Sequence, residues 1–418
     1  MKIGSKNAFI TAAILISIII GLISVRYLEL LYNTSDMSGQ ESPSPSVTPS
    51  ATPIPTPART PDPTPEPEPV YANIVSAGDC VLHKLFQTSA LAGEDKYDFY
   101  PIFEAIKPYT EPASYSIISF ESAATNKRDD YTGYPLFNCP PEIFDAFRKV
   151  GFDMVNNSNN HQLDRKLAGM LETKENIEKA GLDVIGIFDG EEPRYKILDL
   201  NGIKVAIMAY TYGCNMNELA LTPEQRYKHL SLIDEERMEK EIAEMEKNAD
   251  ITVIAMHWGI EYTQKPTAEQ KKLTERMISW GADVILGSHP HVVQPSEIIE
   301  HNGEIKYVIY SMGNFVSNQR RGASGYPKTN KELCEDSMLV DIQFMKDPKT
   351  NKTIINKVRH IPTWLWRYYE NGKYKFKVIP VPEPDYYKNN EYPPDALYEA
   401  YESYKRTMSL VKDYEREK

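Results

Sequence analysis

From about residue 71 onward the sequence predicts an α/β fold with mixed or parallel sheets. Two observations carry this. Eight short apolar runs, continuous and rich in β-branched residues, recur between 73 and 311, as expected for strands covered on both faces. Several are separated by helix patterns with start and stop signals, and such alternation builds sheets flanked by helices.

The chain of 418 residues is long enough for one large domain or two ordinary ones. Its formal net charge of -12 argues against a nucleic-acid groove, because polyphosphate backbones favour a basic surface. Cys80, Cys139, Cys214 and Cys334 are scattered and form no CxxC. They make neither a zinc knuckle nor a dense disulfide framework. One bridge stays open to them; otherwise they read as small buried residues.

Residues 1–7 carry Lys2 and Lys6 and precede "AFITAAILISIIIGLISV", an uncharged run over 8–25. That run is long enough to cross a bilayer as a helix. It continues into Arg26 and Glu29 without an A-x-A-like cleavage site. The reading is a single-pass anchor in the cell membrane, with a short cytoplasmic N-terminus and everything downstream extracellular. A cleaved signal peptide is the alternative. Residues 26–70 include "SGQESPSPSVTPSATPIPTPARTPDPTPEPEPV", too poor in apolar residues to bury a core and biased to extended backbone by its prolines. It reads as a spacer, with a protein-recognition ligand as the alternative.

The expected strands are "NIVSA" (73–77), "SYSIISF" (114–120), "DMVNN" (153–157), "DVIGI" (183–187), "KVAIMAY" (204–210), "ITVIAM" (251–256), "DVILG" (283–287) and "YVIYS" (307–311). "PTAEQKKLTERMISWGAD" is the clearest helix: Thr267 caps it, Gln270 completes a capping box and Gly281 ends it. "DEERMEKEIAEMEKNAD" is a charged, largely solvated helix. Beyond 318, "SMLVDIQF" (337–344) alternates like a strand. "KVRHIPTWLWRYYENGKYKFKVIPV" predicts a hairpin turning at Asn371-Gly372. A tyrosine-rich amphipathic helix ends the chain. These C-terminal strands are expected to complete the second sheet, with the aromatics in the core or against a glycan or polymer.

In open α/β sheets, ligands gather beyond the carboxyl ends of strands. There this chain places Asp79, Glu121, Asn159-Asn160-His161 with Asp164, His257, His289 with His291, and Gly313-Asn314. Imidazole and carboxylate together suit zinc, manganese or iron. The proline between His289 and His291 stiffens their loop. Each residue alone has a plainer reading: Asp79 as a turn residue, Glu121 as a helix cap, the asparagines as loop amides. His83, His229, His301 and His360 are read as hydrogen-bonded or surface histidines. Only joint placement at the strand ends points to a metal or polar catalytic site.

"GD" at 78–79, "FESAAT" at 120–125, "GFDMVNNSNNHQLD" at 151–164, "HWGIEY" at 257–262, "GADVILGSHPHVVQ" at 281–294 and "YSMGNF" at 310–315 occur in that order. The ordered set resembles the poly-γ-glutamate capsule-synthesis family (CapA type), whose domain is similar to calcineurin-like metallophosphoesterases. The resemblance spans roughly 72–318. It implies a sandwich of two mixed sheets flanked by helices, with one or two divalent ions (Mn, Zn or Fe) at the strand ends. By that analogy Asp79 binds the first ion, with His291 returning to it, and Glu121 bridges. Asn160, His257 and His289 bind the second. His161 corresponds to a general acid, which Asp164 could orient. The sequence departs from the phosphoesterase pattern in two places. Cys80 and Val81 stand where Asp-x-His would supply a histidine, and glutamate replaces the bridging aspartate.

The resemblance also implies partners: an anionic polymer and the membrane-embedded subunits that make and export it. Three readings stand: an accessory protein of such a machine, a metal-dependent hydrolase of phosphoesters or envelope polymers, and a non-catalytic polymer-binding module.

Overall fold

The computed structural model describes residues 67–416 apart from 191–192, 326, 382 and 384–391. The expected anchor over 8–25 and the spacer up to residue 66 lie outside the described residues. Among the described residues no helix is long and apolar enough to cross a membrane.

The chain opens with β1 (Val70–Cys80), followed by a small hairpin of β2 (Leu91–Gly93) and β3 (Lys96–Tyr97). Next come β4 (Tyr115–Phe120), β5 (Met154–Asn156), β6 (Asp183–Ile185), β7 (Lys196–Leu200), β8 (Ile203–Thr211) and β9 (Ile251–His257). Then follow β10 (Val284–Ser288), β11 (Ser296–His301), β12 (Glu304–Ile309) and β13 (Asn314–Val316). The last strands are β14 (Asp336–Lys346), β15 (Thr353–Glu370), β16 (Lys373–Pro380) and β17 (Tyr414–Glu415).

A nine-stranded sheet has the order β16-β15-β14-β1-β4-β5-β6, with β13 beside β1 and β17 beside β15. Strands β1, β4, β5 and β6 are parallel, and β14 to β16 are antiparallel. A six-stranded sheet runs β11-β12-β10-β9-β8-β7. Its four inner strands are parallel and its two edges antiparallel. Both sheets are therefore mixed.

Alternate residues along each strand face opposite layers. Ile74 and Ile117 of the first sheet share one core with Ile207, Val253 and Leu286 of the second. Their neighbours Val75 and Ile118 turn outward, onto Phe86 and Phe144 of the helices Lys84–Ala90 and Glu142–Lys149. On the other side Ile254 and Met256 meet Ile242 and Met277, from the helices Glu235–Asn248 and Ala268–Trp280. The order of layers is helix, sheet, sheet, helix. Strands buried on both faces need continuous apolar runs, which is why all eight expected strands are found.

The Thr267–Gln270 capping box and the left-handed Gly281 (φ 118°) are present as expected. So is the hairpin turn at Asn371 (φ 51°) and Gly372 (φ 77°), both positive as a two-residue turn requires. The C-terminal strands depart from expectation: they extend the first sheet, not the second. β14 pairs antiparallel with β1 from Val70–Lys346 to Ala77–Leu339. Its Leu339 faces the helices while Val340, Ile342 and Phe344 enter the inter-sheet core. The edge of β1 lies between the helix layer and the inter-sheet core, so it suits a strand with two apolar faces. The terminal helix Pro394–Met408 covers Trp364 and Ile379 with Ala396, Leu397 and Ala400. That tryptophan is core, whereas Tyr369 and Tyr398 are exposed. All four cysteines are buried and free, so the bridge left open by their spacing is not formed.

Candidate metal centre

The parallel strands of both sheets deliver their carboxyl ends to one edge. Asp79 closes β1, Glu121 follows β4, His257 closes β9, and His289 and His291 follow β10. The loop after β5 is drawn in by its own asparagines. The Asn157 amide donates to the carbonyls of Phe120 (2.6 Å) and Ser122 (3.1 Å), and that of Asn159 to Phe120 (2.8 Å). Two loop amides thus clamp the end of β4 and carry Asn160 and His161 to Glu121.

Asp79 accepts from the His289 backbone N–H (2.9 Å) and the Ser119 hydroxyl (3.1 Å). Burial nevertheless pushes its pKa up to about 7. Glu121 is fully buried, and neither carboxylate oxygen has a hydrogen-bond partner. Its Oε1 has the Nε2 atoms of His161 (3.9 Å), His291 (3.9 Å) and His257 (4.0 Å) around it. Burial, then the negative charge of Asp79, raises its pKa well above the usual carboxylate value.

The imidazoles are oriented from behind. Asn314 gives its amide N–H groups to Gln319 and to the Cys334 carbonyl, so its oxygen faces His291 Nδ1 at 3.0 Å. His291 therefore carries its proton on Nδ1 and turns a bare Nε2 inward. His257 Nδ1 lies 3.1 Å from the Ser288 hydroxyl, and its Nε2 is 2.8 Å from Asn160 Oδ1. Asn160 donates its own amide to Asn215 (3.2 Å), which keeps that oxygen on His257. His289 Nδ1 is buried without a partner. Both His289 (φ 93°) and His291 (φ 58°) hold positive φ, a backbone cost of about 1–3 kcal/mol each. Burial pulls His289 down to about 3 and His257 and His291 well below their ordinary value, so all three rings are neutral near pH 7.

His161 stands apart. Its Nδ1–H donates to Asp164 Oδ2 (2.8 Å), an oxygen that also accepts from the Phe137 backbone N–H (2.6 Å). Asp164 reaches the centre only through this ring. All eight residues singled out from the sequence are thus brought together. Ligand atoms of Asp79, Glu121 and His291 lie within 4.8 Å of one another, as do those of Glu121, His257 and His289. The two groups share Glu121.

Of the side chains that orient these residues, Asn314 stood among the strand-end polar residues of the sequence, whereas Ser119 and Ser288 were not singled out. Ser119, Ser288 and Asn314 orient Asp79, His257 and His291. Ser119 sits inside the run 114–120 and Ser288 just after the run 283–287, and pattern reading passes over both. His83, read as a bland histidine, accepts from the Asn318 N–H (3.2 Å) and still lines the cleft over the centre. That cleft, of about 370 Å³, is also lined by Phe137, Glu261 and Tyr262. Glu261 lay within the quoted "HWGIEY" without a role.

The family described as bacterial capsule synthesis protein PGA_cap matches residues 73–319. The PGA biosynthesis protein CapA of Bacillus subtilis (strain 168) is 26% identical over 298 residues, which is 66% of this chain and 76% of that protein. The capsule biosynthesis protein CapA of Bacillus anthracis is 29% identical over 235 residues, 52% of this chain and 54% of its own length. Among solved structures, a putative 5′-nucleotidase from Staphylococcus aureus in complex with alpha-ketoglutarate aligns with TM-score 0.41 at 13% identity, covering 80% of this chain and 58% of that one. Sulfate thiohydrolase SoxB from Thermus thermophilus, in complex with glycerol, gives 0.36 at 12% identity, covering 81% and 60%. The family match takes in more than half of the chain and every residue of the cluster. The chain belongs to the bacterial capsule synthesis protein PGA_cap family.

Proposed function

We propose that this chain acts outside the cell membrane, anchored by 8–25, in the synthesis or export of a poly-γ-glutamate-like capsule polymer. Its working part is a cleft built to hold one or two divalent metal ions. Glu121 carries the reading. A fully buried carboxylate with two unpartnered oxygens costs several kcal/mol unless it is protonated or meets a cation. Here neutral imidazoles surround it. Carboxylate, imidazole and amide oxygen form a donor set suited to manganese, zinc or iron. Asp79, Glu121 and His291 would hold one ion; Glu121, Asn160, His257 and His289 would hold the other.

When bound, such an ion supplies Lewis acidity and a coordinated water acidic near neutral pH. The chain supplies the rest. Asp164 fixes the His161 tautomer, leaving Nε2 directed at the cleft to move a proton at a leaving group. This oriented imidazole favours a metal-dependent hydrolase acting on the polymer or its carrier over a passive binding module. A clamp needs no acid with a fixed tautomer. The membrane-embedded synthase and export subunits are the proposed partners.

The test is metal content. Protein purified without chelator should contain a divalent transition metal by elemental analysis. His257→Ala and His289→Ala should lose most of it while circular dichroism stays native-like. Full retention by both variants would mean that the ligand set is wrong.

A further inference from the structure

Resting on the metal reading above, one acidic side chain at the centre has no assigned role. Glu261 follows β9 by four residues. One of its carboxylate oxygens lies within 4.8 Å of ring nitrogens of both His289 and His291. Among the described residues that carboxylate has no hydrogen-bond or ion-pair partner. The loop that carries it is fixed at several points. Gly259 takes φ 91°, and a Cβ there would meet the Gln270 side chain at 2.9 Å. Gln270 is itself held by Gln294 (3.1 Å). The Tyr262 backbone N–H donates to the Pro290 carbonyl (2.7 Å), which docks the loop on the turn between the two histidines. Tyr262 holds φ 61°, and its hydroxyl accepts from Gln319 (2.9 Å). A second observation points to a ligand: His289 Nδ1, on a side chain only 4% exposed, has no partner.

We infer that Glu261 is a metal ligand supplied from the mouth of the cleft. It meets the ion on the side of His289 and His291, where the centre otherwise opens to solvent. The pattern Asp-Cys-Val at 79–81 lacks a histidine that could add a donor to Asp79, Glu121 and His291. A carboxylate from the loop after β9 supplies an anionic donor in its stead. The remaining charged side chains lining the cleft do not compete for Glu261, since neither Lys nor Arg is among them.

The experiment titrates metal-stripped full-length protein with Mn²⁺, following the free ion by electron paramagnetic resonance. Glu261 is exposed, so Glu261→Gln should fold normally, with an unchanged thermal melt of the apo protein. Its most weakly bound Mn²⁺ should dissociate at least about tenfold more readily than in the wild type. Glu261→Asp should fall between the two, keeping the charge on a shorter arm. Glu300→Gln, which removes an exposed charge from β11, controls for net charge. An Glu261→Gln isotherm that superimposes on the wild type, with His289→Ala still impaired, overturns the role of Glu261 and leaves the metal reading intact. An equal loss in Glu300→Gln also overturns it. A wild type that takes up no Mn²⁺ removes the metal reading itself, and this inference with it.

Discussion

A histidine near a reacting centre has two nitrogens, and the neighbour on one decides the use of the other. Asn314 holds the proton on His291 Nδ1 and bares Nε2; Asp164 does the same for His161. The two rings then differ by position. His291 lies within a donor group, whereas His161 lies beside one. Losing a ligand changes affinity for the ion. Losing an acid leaves the ion in place and removes proton transfer, typically about 10²–10⁴-fold in rate. His161→Gln should therefore keep the wild-type metal content. Hydrolysis should fall by that factor, assayed on phosphodiester, γ-glutamyl and glycan substrates alongside capsule production in cells. If the wild type is inert on all three and the variant still supports capsule, the enzyme reading falls. At this scale the placement of the eight residues was legible, because each lies shortly beyond the end of an apolar run. Of the residues that orient them, Asp164 and Asn314 were legible too, but Ser119 and Ser288 were not. Ser119 and Ser288 look like ordinary members of buried strands until the opposite strand is in place, and Glu261 looks like any loop glutamate.

Strands β9 and β10 lead into three histidines of the centre, His257, His289 and His291, so the packing around these strands sets where the rings stand. Gly287 in β10 shows how tight that packing is. A Cβ there would sit 2.0 Å from the Tyr310 carbonyl oxygen and 2.4 Å from its carbon, both backbone atoms that cannot rotate away. Gly287→Ala should cost at least about 1–3 kcal/mol by overpacking, read as a lower denaturant midpoint, and should weaken metal binding through displacement of the following His289 turn. Gly93→Ala, where nothing lies within 4 Å, should stay near neutral. Equal midpoints for the two variants would show that the approach of Tyr310 to β10 is not a constraint. Buried parallel strands such as β8 and β9 were readable because both faces are apolar. The edge strands β7 and β11 were not: "KILDL" and "SEIIEH" are half-buried, and their short alternation has no bounding turn signal strong enough to separate it from a loop.

Across the whole molecule, local pattern identifies a strand but not its neighbour. β14 was recognised, yet its place beside β1 depends on which sheet has a free edge between two apolar layers, a property of the assembled fold. The charge and hydropathy of the N-terminal segment are different, because the partner proposed for them is a bilayer, whose dimensions are known. The run 8–25 would span about 27 Å as a helix, close to a hydrocarbon core of about 30 Å. Lys2 and Lys6 favour a cytoplasmic start, and no A-x-A-like site follows. The proline-rich composition of 26–70 is that of the proposed spacer between anchor and domain. The domain itself begins at Val70, so cleavage within that stretch would release it whole. Proteinase K added to intact spheroplasts should accordingly remove the domain from the cell fraction while a cytoplasmic marker survives. A domain protected until the cells are lysed would place it inside and end the proposal of an external capsule role. A soluble mature protein starting near Asn33 would replace the anchor by a cleaved signal peptide while keeping the metal centre on the outer side, where an exported anionic polymer can reach it.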